Sequence, residues 1–100
     1  MHITKSISGK TIRLPDERWV HIVKGHPEMA RYLHDVLLTV AVPDMIVEGG
    51  AGELLAAAYQ RSDKVLVVVY KEIETEGFIL TAYFTKKMKA LLKRNILWQR

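Results

Sequence analysis

The pattern of apolar and polar positions is sharpest between Lys64 and Lys86. Val65 to Tyr70 (VLVVVY) is the only long apolar run, and it is β-branched and apolar at odd and even positions alike. That is the signature of a central strand buried on both faces. Glu74-Thr75-Glu76-Gly77 then reads as a turn, and Phe78 to Thr85 alternates, with Phe78, Leu80, Ala82 and Phe84 on one side and Ile79, Thr81, Tyr83 and Thr85 on the other. Two such runs joined by a short Gly-containing loop predict a β-hairpin. If Ile73 lies opposite Phe78, Tyr70 faces Thr81 and Val68 faces Tyr83. Tyr70, Glu72, Thr81, Tyr83 and Thr85 then share one face. Val67, Val69, Ile73, Phe78, Leu80, Ala82 and Phe84 share the other, together with Lys71. A slip of one residue would undo this sorting.

The remaining chain supplies the elements around this hairpin. Ile3 to Ile7 and Thr11 to Leu14 flank Ser8-Gly9-Lys10 and predict a small N-terminal edge hairpin. Pro15-Asp16-Glu17 opens a helix with acids in its first turn. Trp19, Ile22 and Val23 form its apolar stripe, and Gly25 is a suitable C-terminal stop. His26-Pro27-Glu28 starts a second helix, marked by Met29, Leu33, Val36, Leu37 and Val40, that ends near Ala41 before Pro43-Asp44. Met45 to Glu48 reads as a short strand. Glu53 to Gln60 (ELLAAAYQ) has a helical composition but a strand's length and position. The expected fold is α+β: one or two N-terminal helices packed on one face of a four-stranded antiparallel sheet, preceded by the small hairpin. The helices would cover the Phe78/Leu80/Ala82/Phe84 face and leave the Tyr70/Thr81/Tyr83/Thr85 face open.

Residues 1–100 fit one domain with one small core. The absence of cysteine excludes disulfide and thiolate chemistry and is compatible with the cytoplasm, the expected location. No apolar stretch approaches a membrane span, so no membrane partner is expected. The formal charge of +4 favours a polyanion. Its distribution says more: Lys86, Lys87, Lys89, Lys93, Arg94 and Arg100 crowd residues 86–100, where no acid occurs. Met88, Leu91 and Leu92 in that segment have helical spacing, so it reads either as a solvated helix face or as a phosphate-contacting surface.

Candidate chemistry centres on His21 and His26, with Arg18 and Lys24 nearby. Histidine is the usual acid–base group near neutral pH, and cations beside it suit a phosphodiester. The same residues also read as an exposed helix side chain and a helix-end side chain. As a metal pair they lack the i, i+4 spacing of helical zinc sites and a third ligand, so no metal or cofactor is expected. The Tyr and Thr face could bind phosphate and stack bases, with Tyr59 joining if its strand faces that way, or could simply reflect strand propensity. Phosphate-loop, GxSxG, HExxH and paired-cysteine signatures are absent.

Taken in order, Asp16-Glu17-Arg18-Trp19-Val20-His21-Ile22, Gly25-His26-Pro27-Glu28-Met29, Val42-Pro43-Asp44, Leu66 to Lys71 and Ile79 to Thr85 resemble a phage-associated family of small nucleases. It belongs to the barnase–EndoU–colicin–RelE-like ribonucleases. The resemblance runs from about Leu14 to Trp98. It implies helices on one face of a four-stranded antiparallel sheet, RNA on the other face, and metal-independent cleavage by attack of the 2′-OH on the adjacent phosphate. It implies His21 and His26 as acid and base, Arg18 as a stabilising cation, and Tyr83 and Thr85 as phosphate or ribose contacts. Tyr70, Lys71, Thr81, Lys86 and Lys87 are the further expected substrate contacts. Glu72 is a reserve candidate for the sheet glutamate that this group often uses as a base. Free-standing short members suggest a toxin, and the net charge then suggests an acidic antitoxin or immunity protein as partner. The alternative is a catalytically silent RNA-binding or partner-binding domain on the same scaffold.

Overall fold

A computed structural model describes residues 1–100. In chain order the elements are β1 (His2–Lys5), β2 (Thr11–Leu14), α1 (Asp16–Gly25), a 3₁₀ turn (Pro27–Arg31), α2 (Leu33–Ala41), β3 (Met45–Glu48), β4 (Leu54–Tyr59), β5 (Val65–Ile73), β6 (Glu76–Thr85), α3 (Met88–Leu92) and β7 (Ile96–Gln99). The class is α+β. The strands form one seven-stranded sheet in the order β1-β2-β6-β5-β4-β3-β7. All pairings are antiparallel except β2 with β6, which is parallel. The expected four-stranded antiparallel sheet is therefore corrected to a larger, mixed one. The N-terminal hairpin does not stand apart but extends the sheet beside β6. The C-terminal segment folds back as β7 against β3.

The apolar run that organises the sequence is the middle strand, β5, and it separates two cores. On one face Leu66, Val68 and Tyr70 pack with Ile12, Leu14, Ile22, Met29, Val36, Val40, Ile46, Ala56, Ile79 and Ala82, beneath α1 and α2. On the other, Val65 and Val67 pack with Met45, Val47, Leu55, Ala57 and Leu91, the last delivered by α3. The second face is thus partly covered rather than open. Burial on both sides accounts for a strand with no polar alternation. It also settles the ambiguous ELLAAAYQ segment as β4, whose alanines fill narrow space on both faces.

The β5–β6 hairpin departs from the expected register. Its connection is two residues long, with Ile73 paired to Glu76 and Glu74 at φ 56°. A bulge between Val69 and Tyr70 then shifts the ladder, so that Tyr70 pairs with Ile79, Val69 with Thr81 and Val67 with Tyr83. Tyr70 and Ile79 consequently lie in the helix-covered core, and Phe78 does not. Ala82 and Thr81/Tyr83 keep the faces that alternation assigned them. Gly77 is a strand residue between Glu72 of β5 and Ile12 of β2, not a turn residue.

The helical half is split by proline. Residues preceding proline are pushed out of the α region, and His26, before Pro27, has φ −137° and ψ 77°. Helix α1 ends there without a left-handed glycine, since Gly25 is not among the residues with positive φ. The expected second helix from Met29 becomes a 3₁₀ turn, a break at Tyr32, and α2 from Leu33. No helix is long and apolar enough to cross a membrane.

Candidate nucleic-acid interface

Pairing with β2 occupies only Glu76 to Phe78 of β6. Beyond that point α1 packs on β6, and Arg18 Nη1 donates to the Leu80 carbonyl at 3.5 Å. The end of α1 is thereby carried to the later half of β6. His26, thrown out of helical phase by Pro27, meets Tyr83 there: the ring centroids are 6.0 Å apart with the planes tilted by 32°, within the range of aromatic pairs. A side chain from the helical layer thus touches one from the opposite face of the sheet.

Tyr83 and Thr85 are two residues apart on β6 and line a cleft of about 220 Å³ with Lys87, Ala90, Leu91 and Arg94. The Thr85 hydroxyl oxygen accepts the Lys87 backbone N–H at 3.0 Å, which fixes the turn into α3 and leaves the Thr85 hydrogen available. Lys87 has no ion-pair partner, and the Arg94 guanidinium donates only to the Glu48 carbonyl, at 3.4 Å. On the other side, His26 Nδ1 lies 3.7 Å from Glu28 Oε2. That leaves Nε2 without an acidic neighbour. The arrangement offers a histidine, two hydroxyls and two cations within one short stretch of surface.

The expected site residues divide into three groups. Tyr83, Thr85 and Lys87 come together in the cleft, and His26 meets Tyr83. Thr81 lies next to Tyr83 along the same face, opposite Val69, and Lys86 is exposed just past Thr85. His21 and Arg18 remain on the exposed side of α1, lining a shallow depression with Pro15 and Glu17, apart from the Tyr83 cleft. Lys71 is a correction in position. It sits opposite Phe78, four residues along β5 from the Val67–Tyr83 row, a distance of about 13 Å at strand rise. The backbone N–H donors of Ala51 and Glu53 hold the Glu53 carboxyl below its usual range, and the charges of Arg94 and then Lys71 add to this.

Tyr70 is the clear correction. Only 1% exposed, it belongs to the core under the helices and cannot contact substrate. Burial, reinforced by the charge of Glu72, pushes its phenol well above the usual tyrosine range. Glu72 shares that side of the hairpin, as expected, but accepts from Ser6 Oγ at 2.6 Å and Ser8 Oγ at 2.7 Å. With Lys10 3.9 Å away, it pins the turn of the N-terminal hairpin and is occupied as a structural group.

Two participants carry no distinguishing signal in the sequence. Arg94 was one of several tail cations, and no spacing signal marks it as turning toward β6. Glu28 follows the proline and was read as a helix-start acid. The face that Tyr59 takes depends on its strand's register: Tyr59 lies opposite Val65, and Val65 opposite Thr85, outside the cleft. No three His, Asp or Glu side chains converge as metal ligands. No protein-family model, curated protein or solved structure matches the chain.

Proposed function

We propose that this protein is a small metal-independent endoribonuclease with His26 as a proton-transfer group. In this reading a ribose 2′-OH attacks the adjacent phosphorus, so that the P–O2′ bond forms as the P–O5′ bond breaks. The 2′-OH proton passes to a base and the departing 5′-oxygen takes a proton from an acid. His26 fills one of these roles. Tyr83 and Thr85 donate to the non-bridging oxygens, and Lys87 and Arg94 offset the charge that builds on phosphorus. His21 and Arg18, on the exposed side of α1, flank the approach to this cleft, and the second proton is exchanged with solvent water. The observation that carries the reading is the His26–Tyr83 contact, which joins the helix-end histidine to the hydroxyl-bearing strand.

The test is cleavage of an end-labelled structured RNA in excess EDTA. Wild-type protein is expected to leave 2′,3′-cyclic phosphate ends, and His26→Ala to lower the rate by about 10²–10⁴-fold. Equal cleavage by both proteins would defeat the assignment of His26. The position of His21, away from the Tyr83 cleft, favours a second reading: an RNA-binding domain without catalysis. It is the reading that stands if RNA is bound in a salt-sensitive way and never cut. In a toxin setting an acidic antitoxin would cover the same cations, and co-expression that recovers no complex would count against that partner.

A further inference from the structure

The largest groove in the molecule, about 800 Å³, adjoins the Tyr83–Thr85 cleft and shares Lys87 and Ala90 with it. Its floor includes Val65 and Met88, and its rim carries Lys86, Lys87, Lys89 and Lys93 against a single carboxylate, Asp63. None of these four lysines takes part in any of the six ion pairs of the structure. All four are exposed, so water screens their mutual repulsion, and together they make a local positive potential that draws anions. At the far side stands Tyr59, 61% exposed. Directly opposed residues on neighbouring strands share a face, so Tyr59, Val65 and Thr85 form one row across β4, β5 and β6. Two strand spacings put Tyr59 about 10 Å from Thr85.

We propose that this groove is a single-stranded RNA subsite, in which Lys86, Lys89 and Lys93 contact the phosphate backbone and Tyr59 stacks a base beyond the cleavage point. The ligand class rests on the nuclease reading, and the location rests on the groove itself. An aromatic ring beside a basic track is the arrangement by which single strands are held without sequence readout, each stacked base adding affinity and each phosphate contact adding salt sensitivity. An acidic polypeptide would satisfy the lysines but give the exposed ring of Tyr59 no comparable planar partner. That difference favours RNA.

The experiment uses the full chain and a fluorescein-labelled 2′-O-methyl oligouridine, which binds as RNA but has no free 2′-OH to attack. Fluorescence anisotropy is read across a salt series, and cleavage of a dinucleoside phosphate, too short to enter the groove, is followed in parallel. Lys89→Ala/Lys93→Ala should flatten the slope of log affinity against log salt by about 1.4, two phosphate contacts in a single strand. Tyr59→Ala should weaken binding roughly 5- to 150-fold, the fold-change of one lost base stack. Neither variant should change dinucleoside cleavage, and circular dichroism checks that each is folded. Binding unaffected by these substitutions would overturn the subsite. So would poly-glutamate of matched charge competing as well as the oligonucleotide with Tyr59→Ala without effect, which would mark a surface for an acidic protein. Groove-dependent oligonucleotide binding with no dinucleoside cleavage would instead overturn the nuclease reading and leave the subsite standing.

Discussion

Single residues divide by whether their neighbours in sequence constrain their direction. His26 was recognisable as candidate chemistry from its type. What turns it toward Tyr83 is the proline after it, a constraint that sequence also carries. Tyr70 was misplaced because β5 is apolar on both faces, so alternation could not say which side of the sheet its ring takes. The misplacement has a measurable counterpart. The folded state holds the Tyr70 phenol neutral above its ordinary value of 10.0. An acid whose pKa is raised on folding favours the fold fully below the unfolded value. That contribution is lost as pH rises past it, because the unfolded chain releases the proton first. Denaturant unfolding should therefore show stability falling above about pH 10, with a shallower fall in Tyr70→Phe. Phenolate absorbance reaching its full four-tyrosine value while the circular dichroism stays native would contradict the burial.

Among the elements, β1, β2, β3, β5, β6 and α1 were legible because their composition, periodicity or first-turn acids are local signals, whereas β4 read equally as helix and β7 was not expected. The hairpin register was not. A four-residue turn containing Gly77 is the usual inference from Glu-Thr-Glu-Gly, but Gly77 is required elsewhere. A Cβ there would press onto the Lys71 carbonyl oxygen and against Ile12 Cδ1. Glycine thus permits the close approach of β5 at Lys71, and the turn contracts to Glu74-Thr75. Because a backbone carbonyl in a paired strand cannot step aside, Gly77→Ala should destabilise by about 1–3 kcal/mol, as overpacking does. Gly50→Ala, with nothing near its Cβ, should change little. Equal midpoints for the two variants in urea would refute the close approach. The bulge beside Val69 is similarly invisible in sequence, since it depends on what each side of the ladder must bury.

For the whole molecule, the α+β class followed from the order of helical and strand patterns, whereas the size of the sheet did not. The four-residue strands β1, β2 and β7 are too short to announce their partners, and Ile96-Leu97-Trp98-Gln99 follows a basic stretch that reads as solvated helix. Leu91 is the exception that anchors this stretch: 5% exposed, it caps the second core. Leu91→Ala should cost about 2–5 kcal/mol and loosen α3, lowering hydrogen-exchange protection in β3 and β7 along with it. Protection unchanged there would separate α3 from the sheet. The contact between His26 and Tyr83 has a further consequence, because Ile22 and Met29 around His26 belong to one core and Tyr83 packs against the other. Neither layer alone contains the pair. In the nuclease reading, a nascent chain that has formed its sheet without docking α1 is harmless to the messenger from which it is being translated, and becomes dangerous only once both sides have closed.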